Sequence, residues 1–238
     1  MRAGKAIEVR GEKTSSLLGH LALHYDAGIS RDGLIEILWP DNDSALAAEA
    51  LHSRIHSLQK ALATSLDRTS PILFADGFYR LNRSAGIAVD VVRFDALVRE
   101  GQQHARDGRE IDAAVSFERA VGFYRGDLCI ASDVHALVER ERLRASYLTV
   151  LAWLADHCYV RRDHLHCLDY ARRILSCDPY REDAHRSVMR CHVRLGERAQ
   201  ALHQYRLCKD ILNSAFSAKP EPATTSLYDQ IRLDPATI

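Results

Sequence analysis

The chain has 238 residues, 47% hydrophobic and 27% charged, with 12 Gly and 6 Pro, which excludes a disordered or collagen-like polymer and leaves room for two ordinary domains. Its 32 Lys and Arg balance 32 Asp and Glu, and residues 1–89 alone carry ten of each sign, so bulk charge points to no polyanion partner. No run of about 18 apolar residues occurs and the N-terminus opens no apolar h-region, so the expectation is a cytoplasmic chain with no membrane contact. The six cysteines (Cys129, Cys158, Cys167, Cys177, Cys191, Cys208) show no C-x-x-C pair and read as buried free thiols of a reducing compartment.

In chain order, residues 7–10 alternate as a strand before Gly11. From Ser15 the apolar positions Leu17, Leu18, Leu21, Leu23 and Tyr25 mark a helix that stops near Gly28. Ser30 then caps a second helix through Leu34, Ile35 and Leu38, which Trp39-Pro40 ends, because the residue before proline is pushed away from helical geometry. A third helix is expected over 44–63, with Leu51, Ile55, Leu58 and Leu62 on one face and His52, Ser53, His56, Ser57 and Lys60 on the other. Ile72-Leu73-Phe74 and Phe78-Tyr79-Arg80-Leu81 flank Ala75-Asp76-Gly77 as a β-hairpin. Strand, three helices and hairpin are the order of a winged helix.

Beyond Val89 nearly everything reads as short amphipathic helices, at about 90–107, 109–124, 133–161, 163–177, 182–195, 197–214 and 223–233. Cys167-Leu168 with Ala171 matches Ala201-Leu202 with Tyr205 at an offset of 34, the period of tetratricopeptide repeats, and Asp178-Pro179 sits where such a repeat turns. Ala114-Val115 with Glu118 is a weaker match, 53 residues before Cys167. The expected fold class is therefore mostly α: a winged helix-turn-helix domain over 1–89, then a tetratricopeptide-like helical repeat domain over 90–238.

Leu38-Trp39-Pro40-Asp41, the stretch Ala50-Leu51-His52-Ser53-Arg54-Ile55-His56-Ser57-Leu58-Gln59-Lys60-Ala61-Leu62 and Gly77-Phe78-Tyr79-Arg80-Leu81 resemble the SARP-type bacterial transcriptional activators, which join an OmpR-type winged helix to a bacterial transcriptional activator domain. Tyr124-Arg125-Gly126-Asp127-Leu128, Glu139-Arg140-Glu141-Arg142-Leu143-Arg144, Asp178-Pro179-Tyr180-Arg181 and Pro220-Glu221-Pro222 before Leu227-Tyr228 extend the likeness through the second half. The resemblance implies promoter DNA as a partner, with RNA polymerase, another domain of a longer chain or a second copy as further ones. It places Ser53, Arg54, Ser57 and Lys60 toward the major groove, and Arg80 and Arg83 beside the hairpin against backbone or minor groove. Two departures stand out. The family's leading strands are missing, as in an N-terminally truncated member, and Ser57 and Gln59 stand where the family carries arginine.

His20 and His24, and His52 and His56, are spaced four apart so that each pair shares a helical face, and His164, His166 and Cys167 cluster in sequence. With 12 histidines such pairs arise by accident, so no metal is assigned. No G-x-S-x-G and no Gly-rich phosphate loop is present, so neither an enzyme nor a cofactor is expected. Arg161, Arg162, Arg172 and Arg173 are candidates for an anion-attracting rim on the repeat surface. The alternative to a DNA reader is a regulatory interaction or ligand-sensing module that keeps the architecture without DNA binding.

Overall fold

The computed structural model describes residues 9, 11–41, 44–63, 69–128 and 134–238. Of the expected strand at 7–10, all but Val9 lies outside the described residues, as does Cys129. Among the described residues the elements are α1 (Glu12–Leu23), β1 (Ile29–Ser30), α2 (Arg31–Leu38), α3 (Ser44–Ala63), β2 (Ile72–Ala75), β3 (Phe78–Leu81), a 3-10 turn (Arg83–Ala85), α4 (Asp90–Arg106), α5 (Glu110–Val121), α6 (Val134–Val160), α7 (His164–Cys177), α8 (Glu182–Arg194), α9 (Arg198–Phe216), α10 (Pro222–Leu233) and a final 3-10 turn (Pro235–Thr237). The chain divides into two compact units, residues 1–96 with 123–143, and residues 97–122 with 144–238. Two of its boundaries fall inside helices, α4 and α6, and the third follows α5.

In the N-terminal unit the leucine spacing does what a 3.6-residue period dictates. Leu17 and Leu21 of α1, Leu34 and Leu38 of α2, and Leu51, Ile55 and Leu58 of α3 are buried in one core with Ile72, Tyr79 and Leu81 of the hairpin. Helix α1 begins at Glu12, three residues earlier than expected, because Gly11 stands as its N-cap at φ 95°. Ser30 caps α2 as expected, its Oγ accepting from the Gly33 amide at 3.0 Å. Ser30 also belongs to β1, an element absent from the sequence expectation, which pairs antiparallel with β3 through Ile29 and Tyr79 to give the sheet order β1-β3-β2. The hairpin loop is the two residues Asp76 and Gly77, both at positive φ (54° and 82°), the geometry that matches the twist of the flanking strands. Tyr25 donates to the Ile87 carbonyl at 2.8 Å, tying the end of α1 to the segment ahead of α4. Arg142 binds Asp95 in a two-pronged contact (3.1 and 2.7 Å) and also reaches Glu139.

The C-terminal unit is a helical repeat whose phase is set by its turns. After α4, Gly108 stands at φ 74°, after α6 Arg162 at φ 62°, and after α8 Gly196 at φ 79°. At each turn the next amide reaches back five residues: Arg109 to the His104 carbonyl, Asp163 to Cys158 and Glu197 to His192. The three turns therefore share one frame, with α7 and α9 starting 34 residues apart and α5 starting 54 residues before α7. This corrects the offset of 53. The residues of α5 that correspond to Cys167 and Ala171 are the buried Ala113 and Phe117, not Ala114 and Glu118. Ala201 of α9 occupies the same position and is buried too. Cys158, Cys167, Cys177, Cys191 and Cys208 are free thiols. Burial pushes Cys158 up to about 11 and Cys208 likewise to about 11, so both remain protonated at neutral pH. Among the described residues no helix is long and apolar enough to cross a membrane.

Candidate nucleic-acid interface

The six candidate residues fall into two groups. Ser53, Arg54, Ser57 and Lys60 are all exposed on α3, while Leu51, Ile55 and Leu58 bury the opposite side. At about 100° per residue, Ser53, Ser57 and Lys60 share the centre of the outward face, and Arg54 stands at its flank, roughly 100° from Ser53. The same arithmetic puts exposed Glu49 and His56 in line with Ser53 and Lys60, so the face carries one carboxylate toward its N-terminal end. A shallow depression of about 290 Å³ lies beside Lys60, lined by His56, Gln59, Thr69 and Ser70.

Gln59 does not share that face. Its Nε2 donates to the Ile72 carbonyl at 3.3 Å and so ties α3 to β2. Of the two positions where arginine is missing, only Ser57 points to solvent.

Arg80 and Arg83 are brought together with each other, at the segment between α1 and β1. The Arg80 guanidinium donates through Nε to the Ala27 carbonyl at 3.1 Å and lies across Gly28, where a Cβ would come within 2.5 Å of the arginine's Cγ. Glycine is needed there for that close approach as well as for its φ of 76°. Arg83 forms an ion pair with Asp26 and stacks over the Tyr25 ring at 4.8 Å. Both cations thus have partners within the fold. The exposed large apolar side chains of the hairpin are Leu73, Phe74 and Phe78, and strand alternation does not announce them, since Leu73, Phe74 and Ala75 are exposed in succession.

The other candidates disperse. His20 is buried, and the His24 ring is hydrogen-bonded to the His20 carbonyl at 2.9 Å. His52 and His56 are exposed, Cys167 is buried, and His166 pairs with Asp163 at 2.7 Å. No group of three metal-ligating side chains forms among the described residues. In the repeat unit, Arg173 donates to the Tyr147 hydroxyl at 2.9 Å and lies near the Tyr170 ring, while Arg161, Arg162 and Arg172 are exposed.

The N-terminal unit carries three helices and a small sheet, and the C-terminal unit carries tetratricopeptide-like helix pairs. The model of the bacterial transcriptional activator domain matches residues 89–232, and the chain belongs to that family. Two curated relatives are similar over most of their length. The transcriptional regulatory protein MoaR1 of Mycobacterium tuberculosis is 24% identical over 96% of this chain and 74% of its own, and MoaR1 of Mycobacterium bovis is 22% identical over the same shares. Among solved structures, Mycobacterium tuberculosis EmbR in complex with a low affinity phosphopeptide superposes with a TM-score of 0.72 at 21% identity, over 94% of this chain and 59% of EmbR. The resemblance to SARP-type activators and a role in transcription regulation stand on these findings.

Proposed function

We propose that the chain is a DNA-binding transcription regulator and not an enzyme. In this reading residues 1–89 form an OmpR-type winged helix that lays α3 in the major groove of promoter DNA. Residues 90–238 form the activator domain, which contacts RNA polymerase, another domain of a longer chain or a second copy. The observation that carries the reading is the two-sidedness of α3: its apolar side is spent in the core, and its outward side offers Ser53, Ser57, Lys60 and Arg54 together. The order of three helices and hairpin and the names of the two MoaR1 relatives support it.

A second reading is favoured by the engagement of Arg80 and Arg83 and by Glu49 on the α3 face. Here the chain is a regulatory interaction module that works through its repeat surface without reading DNA. Fluorescence anisotropy of labelled duplex pools against the chain, at low and moderate salt, separates the two. With Arg54 and Lys60 as the outward permanent cations of α3, the log–log salt slope expected is about −2, since each phosphate contact contributes roughly −0.9. Arg54→Ala with Lys60→Ala should abolish that slope. No binding at low salt rejects the DNA reading and leaves the repeat surface as the working part.

A further inference from the structure

The N-terminal unit also contains a cavity of about 250 Å³ that the DNA reading does not use. It lies where the start of α4, the segment after α5 and the first half of α6 meet. Its floor is apolar, made by Val91, the buried Phe94 and the buried Leu143. Phe123, 38% exposed, stands at its edge. A cavity of this size is below the usual range for drug-sized ligands and suits a molecule as small as an amino acid.

Three charged residues line this cavity, Asp90, Arg125 and Asp127, and the last is held by the Tyr124 hydroxyl at 2.8 Å. Arg125 is exposed and has no hydrogen-bond or ion-pair partner among the described residues. Among the described residues Asp90 accepts only from the neighbouring Val91 amide, through Oδ1 at 2.9 Å. No ion pair joins Arg125 and Asp90, although Arg142 nearby is paired with Asp95 and Glu139. An open apolar cavity, an edge aromatic and two unspent charges of opposite sign form one recognition pattern. A carboxylate would answer Arg125, an ammonium would answer Asp90, and an apolar side chain would fill the floor between Phe94 and Leu143.

We infer that this cavity is a binding site for a small zwitterion with an apolar body, of the class of the apolar and aromatic α-amino acids. The inference is independent of DNA binding, because none of the six α3 and hairpin candidates lines the cavity.

The test is isothermal titration of the whole chain with L-phenylalanine and L-leucine, alongside phenylacetate and phenethylamine, which carry only one of the two charges. The amino acids should bind and both single-charge analogues should bind at least tenfold more weakly, because a hydrogen bond to a charged group is worth roughly ten- to hundredfold in affinity. Arg125→Gln, at an exposed position, should weaken amino-acid binding by about tenfold or more with an unchanged melting temperature. Val91→Phe, which fills the floor, should remove it. Failure of both amino acids to bind at millimolar concentration overturns the inference, as does phenylacetate binding as tightly as phenylalanine. Amino-acid binding that neither variant weakens places the ligand elsewhere and overturns it equally.

Discussion

Arg162 is the one repeat turn at which a residue other than glycine carries the left-handed backbone, and its replacement is the most direct test of the repeat frame. Gly108 and Gly196 occupy the corresponding positions, at φ 74° and 79° against 62° for Arg162. An L-residue in that region costs roughly 1–2 kcal/mol, which glycine does not incur. Glycine returns about 0.4–1 kcal/mol of this through the greater freedom of its unfolded chain. The arginine side chain is exposed and has no hydrogen-bond or ion-pair partner among the described residues. Arg162→Gly should therefore stabilise the chain by about 0.5–1 kcal/mol, the difference between these effects. Urea unfolding followed by far-UV circular dichroism measures it, with Arg162→Ala as the control that removes the same side chain and keeps the strained backbone. The alanine variant should match the parent within about 0.5 kcal/mol. If glycine proves no more stable than alanine, the shared turn geometry is wrong and the 34- and 54-residue frame fails with it.

Three further outcomes follow from the packing. Ser57→Arg should steepen the salt dependence of DNA binding by about 0.9 in log–log slope, whereas Gln59→Arg should not, because position 59 faces the Ile72 carbonyl; equal effects would contradict the placement of α3. Leu58→Ala, which empties a fully buried site in the N-terminal core, should cost about 2–5 kcal/mol in chemical denaturation. His185 is buried with its Nε2 on the Pro179 carbonyl at 2.9 Å and its Nδ1 2.6 Å from the Gln204 amide nitrogen. Burial holds its pKa below the ordinary 6.5, against the opposing pull of Pro179, Glu182 and Asp183. Its contribution is thus fully present above pH 6.5 and is lost as pH falls toward the depressed folded value. Unfolding free energies between pH 7.5 and 5 should fall more steeply for the parent chain than for His185→Gln, and parallel curves would refute the assignment.

Most helices were legible because their causes are local. The apolar period, Ser30 as a cap, Trp39-Pro40 as a stop and Gly28 as a turn act within a few residues of the element they shape. Strand β1 was not legible, since Ile29 and Ser30 become a strand only by meeting Tyr79 and Phe78 far along the chain. The one-residue error in the repeat frame has a similar origin. Ala114-Val115 looks as apolar as Cys167-Leu168, and what distinguishes Ala113 and Phe117 is burial. The turn at Arg162 gave no help, because the residue hides the left-handed geometry that glycine advertises at 108 and 196. On α3 the outward face followed from periodicity alone. The partners of Arg80 and Arg83 did not, as Ala27 and Asp26 are distant in sequence.

The arginines explain why a charge count says so little about this chain. Arg80 donates to the Ala27 carbonyl, Arg140 to Leu128, Arg144 to Cys177, and Arg198 to Ile231 and Arg232. Cys177 ends α7, and Ile231 and Arg232 lie in the last turn of α10, where carbonyls lack helical partners and the helix dipole favours a cation. A guanidinium used in this way closes a segment end and keeps its charge, but its donors are committed to the fold rather than free for a phosphate. The neutral sum of 32 against 32 therefore mixes cations committed to carbonyls with cations free on the surface, and only the second kind can bond a phosphate directly. On the N-terminal unit that second kind includes Arg54 and Lys60 of α3, so DNA recognition through this helix would depend on base-edge and hydroxyl contacts from Ser53 and Ser57 more than on attraction to phosphate.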